Sequence, residues 1–221
     1  MVSDRVDTPF ILVGGGGHAT VCLDLLLRQN IRIIGYISKE PSSHINAVPY
    51  LGEDEQMQAF APNEVQLVMG VGFIVGSSLR EVLFNRYKSK GYQFATLIHD
   101  AAIVSTSVKV SEGAQIMAGA VVQTDAVIGQ NALINTRASV DHGSCIGDHA
   151  ALMPGTTICG DVNVAESVYV GAGATILPNL TIGERSVVGA GAVVINSLAS
   201  HSFVYGVPAT ERKRERHNDP C

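Results

Sequence analysis

The sequence predicts two units of different class in one chain: a small α/β unit over residues 1–98, then a solenoid of short parallel strands over residues 99–206, with a tail at 207–221. Three observations carry that reading. An apolar run, Phe10-Ile11-Leu12-Val13, opens directly into four glycines, Gly14 to Gly17, and then into helix-like periodicity. From Val104 onward every sixth residue is aliphatic. The 221 residues are 46% hydrophobic and 16% charged, which supports a sizeable core and excludes a disordered chain.

In the first unit, residues 10–13 read as a buried strand, because four consecutive apolar residues bounded by turn residues suit a strand covered on both faces. The glycines and His18 form a turn. Residues 19–29 read as a helix with Val21, Cys22, Leu25 and Leu26 inward. Residues 31–37 make a second strand, completing a βαβ unit of Rossmann-like layout. Residues 51–60 suggest another helix and 65–71 a third strand. Residues 77–90 follow as a helix with Leu79, Val82, Leu83 and Tyr87 inward, and 93–98 lead into the repeats. Gly14-x-Gly16-x-x-Ala19 resembles a dinucleotide fingerprint, and glycines at a helix start let a phosphate approach backbone N–H groups. The acidic ribose ligand expected after the second strand is missing, since Ser38-Lys39 stands there. NAD is therefore rejected. A pocket for a different phosphate compound and a tight turn without ligand both remain open.

In the second unit sixteen aliphatic residues, Val104 to Val194, keep a six-residue register without a break. Chance would produce such a run about once in 10⁹ trials if aliphatics fill a quarter of positions. The residue four places later is usually small: Ala114, Ala120, Ala126, Ala132, Ala138, Ser144 and Ala150 are examples. Glycine often follows the aliphatic directly, as at Gly129, Gly147, Gly171, Gly183 and Gly189. Six residues fit neither a helical period nor a lone alternating strand. They fit a strand-and-corner unit, three to a triangular turn of 18 residues, stacked at the usual strand spacing of roughly 4.8 Å.

Composition narrows the function classes. A net charge of -5 argues against a general nucleic-acid binder. No apolar run approaches the roughly 20 residues that span a bilayer, and no signal-peptide pattern is present. The four cysteines, Cys22, Cys145, Cys159 and Cys221, lack metal-knuckle spacing, so a cytoplasmic, disulfide-free protein is expected.

A strand running into Gly14-Gly15-Gly16-Gly17-His18, the bridging Leu97-Ile98-His99, the hexapeptide coils and the closing Gly206-Val207-Pro208-Ala209 together resemble the PglD/NeuD group of bacterial sugar acetyltransferases. The resemblance spans roughly residues 9 to 210. It implies a left-handed parallel β-helix, acetyl-CoA as acetyl donor, and a homotrimer with acetyl-CoA in the groove between copies. The implied acceptor is the 4-amino group of a nucleotide-linked 4-amino-4,6-dideoxy sugar, with UDP as the expected carrier and dTDP or GDP as alternatives, for surface glycan or glycoprotein synthesis.

The segment Asn135-Thr136-Arg137-Ala138-Ser139-Val140-Asp141-His142 resembles the family's active-site stretch, which makes His142 the general base. An attacking amine or hydroxyl must lose a proton, and imidazole titrates near neutral pH. Asn135 would orient the acceptor. Gly14, Gly15, Gly16, Gly17, His18, Ser38, Lys39 and Gly70 would hold the nucleotide sugar. Gly160, Ala172 and Ala190 would line the acetyl-CoA groove, and the basic run from Glu211 to Arg216 either meets CoA phosphates or is a solvated end. Two departures from the family pattern stand out. The acidic residue that usually follows the histidine is replaced by Gly143. The second histidine, which contacts acetyl-CoA, would fall at Ala151, whereas this chain has His149, either a cofactor contact or an exposed histidine without a role. Residues 18 apart stack on adjacent coils, so Gly143 lies between Asp125 and Asp161, the candidates for supporting the base. His142 itself stacks on Thr124 and Gly160, and that glycine is expected to leave open space for a pantetheine arm.

The competing readings are a sialic-acid-type sugar O-acetyltransferase, which would share the mechanism, and a non-catalytic solenoid scaffold or binding module. A carbonic anhydrase on the same solenoid needs three metal histidines, and the repeat region lacks a third.

Overall fold

The computed structural model describes residues 8–211, which divide between Leu97 and Ile98 into two compact units. The basic run beyond Glu211 lies outside the described residues. No helix among the described residues is long and apolar enough to cross a membrane.

The first unit is a four-stranded parallel sheet. Strand β1 (Phe10–Val13) leads through helix α1 (Gly17–Arg28) to β2 (Ile33–Ile37), β3 (Tyr50–Gly52) and β4 (Gln66–Met69), and helix α2 (Leu79–Ser89) follows. The order is β3-β2-β1-β4, so the chain reverses direction across the sheet between β1 and β4. The alternation within β1 separates two cores. Ile11 and Val13 join Ile37, Met69, Phe84 and Tyr87, whereas Leu12 joins Cys22, Leu25, Leu26 and Val68.

Three expectations need correction. Residues 51–60 are not one helix: Tyr50–Gly52 adds a fourth strand beside β2, and Asp54–Ala59 forms a 3₁₀ helix. Gln56 reaches back to accept from the Glu53 amide at 2.8 Å, which starts the helix after the strand. Val21 is exposed, because Ala19, Cys22, Leu23 and Leu26 define the buried arc of α1 and residue 21 lies outside it. In α2 the buried arc is Arg80, Leu83, Phe84 and Tyr87, at helical spacing, which turns Leu79 and Val82 outward. The buried Arg80 guanidinium donates to Val71 O at 2.7 Å and stands 4.9 Å from the Phe73 ring centre. Burial lowers its pKa to about 10, so it remains a cation at neutral pH.

The second unit is a left-handed parallel β-helix in three sheets, whose two-residue strands from Ile103 to Val194 pair with one another 18 residues apart. Val140, for example, pairs with Val122 and Ile158. The aliphatics from Ile116 to Val194 are buried and form one core with the small residues of the corners. The third residue after each aliphatic from Val110 to Val188 turns the corner in the left-handed region, as at Asp125 (φ 60°), Gly143 (φ 66°), His149 (φ 58°) and Asp161 (φ 57°). Polar corner residues are satisfied by the next coil: Ser144 Oγ donates to Cys159 O at 2.8 Å and accepts from the Val162 amide at 3.1 Å. Phe203–Tyr205 pairs antiparallel with Thr210–Glu211 and ends the described solenoid in a hairpin.

Candidate active site

His142 and its neighbours stand on one corner of the solenoid. His142 occupies the second position after Val140, and Gly160 occupies the same position one coil later. The imidazole lies over that glycine: a Cβ there would stand 2.6 Å from His142 Cε1 and 2.7 Å from Nε2. Asp141 Oδ1 accepts from the His142 amide at 2.8 Å and ties down the turn. Asp161 Oδ2 stands 3.8 Å from His142 Nδ1, and both side chains are more than half exposed. The open space expected at Gly160 is taken by the imidazole, and Gly143 is crowded as well. A Cβ at position 143 would fall 2.3 Å from Asp161 Oδ1, so this glycine makes room for the carboxylate. Asp125, in the same column one coil earlier, donates its amide to Ser107 Oγ at 2.9 Å, and among the described residues Asp161 is the carboxylate paired with His142.

On the sheet face beside this corner, Val121, Gln123, Ser139, Asp141, Thr157 and Cys159 line a shallow cavity of about 170 Å³. Burial, with Asp141 nearby, pushes the Cys159 thiol pKa up, so the thiol stays protonated at neutral pH. Gly160→Ala should move the imidazole, because the obstructing atoms belong to a mobile ring and not to backbone. The circular dichroism spectrum should stay unchanged, and if the expected role of His142 as general base holds, kcat should fall about 10-fold, because a displaced base loses part of its proton-transfer benefit.

The other predicted residues lie elsewhere on the coils. Asn135 is at a second corner, its Oδ1 accepting from the Thr136 amide at 2.7 Å, and Ala172 and Ala190 stack at that same corner, where the Gly191 amide donates to Ala172 O at 2.9 Å. His149 is at the third corner. It is buried, contrary to an exposed histidine without a role, and the Asn131 amide group donates to its Nδ1 at 3.0 Å from the preceding coil. Ala151 is fully buried on the strand between the second and third corners. One copy of the chain therefore does not bring His142, Asn135, Ala172, Ala190 and His149 to a single point.

The first unit carries a separate cavity of about 510 Å³ at the C-terminal ends of all four strands. Gly14, Gly15, Ser38 and Lys39 line it, together with Glu53, Asp54, Glu55, Leu79, Leu83 and Arg86. Its floor, Val13-Gly14 beside Val71, is where the strand order reverses between β1 and β4, the usual ligand crevice of an open parallel sheet. Gly14 has φ 107° and a Cβ there would meet Val71 Cγ2 at 2.8 Å, so both the turn and the packing demand glycine. Gly16 caps α1 without a side-chain hydrogen bond and Gly17 begins it, and both face open space, which leaves the first-turn N–H groups approachable. His18 is turned to Cys22 Sγ at 3.6 Å. Gly70 packs under α1, where a Cβ would stand 2.8 Å from Ala19 Cβ.

Sequence reasoning missed the wall formed by Glu53, Asp54, Glu55 and Arg86. Arg86 pairs with Asp54, which also accepts from Tyr87 Oη at 2.7 Å. Burial and this hydrogen bond raise the Tyr87 pKa well above its usual value. No local pattern marks these residues, because only the strand order brings the 3₁₀ segment and α2 to one crevice.

The family described as the PglD N-terminal domain matches residues 9–87, and the bacterial transferase hexapeptide family (six repeats) matches residues 161–196. The chain is similar to PerB from Caulobacter crescentus, solved in complex with CoA and GDP-perosamine, at 32% identity over 93% of this chain and 97% of that one, with a TM-score of 0.86. It is similar to the acetyltransferase domain of PglB from Neisseria gonorrhoeae, solved with acetyl coenzyme A, at 25% identity over 93% and 100% of the two chains, with a TM-score of 0.87. WeeI from Acinetobacter baumannii shares the fold at 19% identity, covering 92% of this chain and 99% of that one, with a TM-score of 0.69. None of the curated proteins matches the chain.

Proposed function

The chain belongs to the PglD-type family of acetyl-CoA-dependent sugar N-acetyltransferases, and from that premise we propose that it acetylates the 4-amino group of a nucleotide-linked 4-amino-4,6-dideoxy sugar for glycan synthesis. The observation that carries the site assignment is the His142 imidazole held over the side-chain-free Gly160. In this reading the amine nitrogen attacks the thioester carbonyl carbon and passes its proton to His142 Nε2. The C–S bond then breaks, and the imidazolium returns the proton to the leaving sulfur, so that amide and free thiol form with no net change at the histidine. The glycine turn and α1 start would receive the diphosphate, with Lys39 as counter-charge.

Two observations favour a guanosine carrier over the uridine carrier expected from the sequence. Glu53 and Glu55 are among the residues that line the crevice, and carboxylates there suit the N–H and amino donors on one edge of guanine. Uracil places carbonyls on either side of its single N–H. PerB, solved with GDP-perosamine, is 32% identical.

A homotrimer completes the proposal. The predicted cofactor residues His149, Gly160 and Ala172 fall on three different corners of the solenoid, and a groove between adjacent copies can bring two corners to one ligand. Leu177 and Ile195, stacked on the face that carries Cys159, remain exposed and available for such packing.

Calorimetry tests the first unit. A GDP-linked 4-amino sugar should bind, a UDP-linked one should bind at least about 10-fold more weakly, a single lost bidentate contact being worth 1–3 kcal/mol, and NAD should give no heat. Tight NAD binding with no nucleotide-sugar signal would overturn the assignment, and equal binding of both carriers would remove the guanosine preference.

A further inference from the structure

Resting on that acetyltransferase reading, we infer that Asp161, one coil beyond the base, is the positioning residue of His142, and that Gly143 and Gly160 are the two absences of side chain that permit it. No carboxylate follows the histidine in sequence, since the next residue is Gly143. Asp141 precedes it but is engaged with the backbone, accepting from the His142 amide. Asp161 is the acid whose side chain reaches the ring, with Oδ2 3.8 Å from Nδ1. Its other oxygen occupies the volume that any side chain at position 143 would claim, 2.3 Å from where a Cβ would be. Gly160 meanwhile leaves the room that the ring occupies, with Cε1 2.6 Å from where a Cβ would be, and Nδ1 stands toward Asp161.

Coil stacking supplies the geometry. The Asp161 amide donates to His142 O at 2.9 Å, so the backbone that carries the acid is hydrogen-bonded to the residue that carries the base. The pair is exposed, and its contribution to stability is small. Its value is to catalysis. A carboxylate facing Nδ1 retains the proton there and leaves the Nε2 lone pair free for the acceptor amine.

Positions 143 and 161 share one left-handed backbone conformation, at φ 66° and 57°. Glycine and aspartate both tolerate it, so the acid can be moved between coils without remaking the corner. Asp161→Asn keeps size and backbone tolerance and removes the charge. We expect it to lower kcat about 10-fold with both KM values within about 2-fold, because the acid acts through the base and touches neither substrate. Asp161→Gly should lose a similar factor, and Gly143→Asp combined with Asp161→Gly should recover most of it. The carboxylate is then restored one residue after the histidine in the space that Asp161 vacates. Nitrogen-15 spectra of labelled histidine give a readout independent of turnover: the parent should hold neutral His142 as the Nδ1–H tautomer, and Asp161→Asn should shift it toward Nε2–H. An unchanged tautomer, or a double variant no better than Asp161→Gly, overturns the inference even where the parent transfers acetyl normally. A parent inactive on every amino sugar removes the acetyltransferase reading, while the tautomer result still decides the pairing.

Discussion

His142→Ala is expected to lower kcat by 10² or more while acetyl-CoA affinity stays nearly unchanged, because positioned proton transfer is typically worth about 10²–10⁴ in rate. The reasoning is local. The ring is exposed, it packs on a glycine, and its contacts are an ion pair and a backbone turn, so removing it leaves no cavity in the core. The solenoid core beneath consists of Val140, Ile158 and their neighbours and is untouched. A loss confined to kcat is therefore the signature of a missing base and not of misfolding. The measurement is thiol release from acetyl-CoA with a nucleotide-linked amino sugar, paired with calorimetric binding of CoA. Near-normal turnover of the variant would sink the mechanism.

Gly147→Val should destabilise the protein by about 3 kcal/mol or more, at the upper end of what overpacking costs, because the obstructing atoms cannot move away. A Cβ at Gly147 would stand 2.7 Å from both Ala165 C and Glu166 N, the backbone of the next coil's corner. The Gly147 amide is at the same time bonded to Val164 O at 2.8 Å, so opening the gap breaks the ladder that stacks the coils. The glycines that follow an aliphatic share this crowding: at Gly171 the nearest atom is Ala190 N at 2.5 Å, and at Gly183 it is Ser200 N at 2.3 Å. Gly155 provides the contrast. It turns a corner at φ 71° with nothing near its missing Cβ, and Asn tolerates that backbone. Chemical denaturation should therefore separate Gly147→Val sharply from Gly155→Asn, which we expect to cost less than about 1 kcal/mol. Equal losses would show that coil spacing is softer than the backbone contacts imply.

Much of the fold is local information. The six-residue period is written once per strand, and each aliphatic from Ile116 to Val194 is buried where the period places it. The glycine after the aliphatic and the small residue near the corner follow from one constraint, the close approach of stacked coils. Strands β1, β2 and β4 were legible for a similar reason, since each is an apolar run long enough to cross a doubly covered sheet. Strand β3 was not. Three half-buried residues carry no period, and Tyr50–Gly52 is a strand only because β2 offers it a partner. The inward face of α2 was misplaced because Leu79 and Val82 are as apolar as the residues that are buried. Hydropathy cannot show that a buried arginine, anchored on a carbonyl and an aromatic ring, takes the central position.

The same division runs through the site. The sequence by itself determined which residues share a column, because an 18-residue turn leaves no freedom about which corner stands on which. It therefore placed Gly143 between Asp125 and Asp161, and His142 above Gly160. Which aspartate turns toward the imidazole was decided only by the tertiary structure, since that choice depends on side-chain directions at two corners and on the volume a missing Cβ leaves between them. The crevice of the first unit belongs wholly to the second category. Glu53, Glu55 and Arg86 meet Gly14 and Lys39 through strand order, and strand order is a property of the assembled sheet that no short stretch of chain contains.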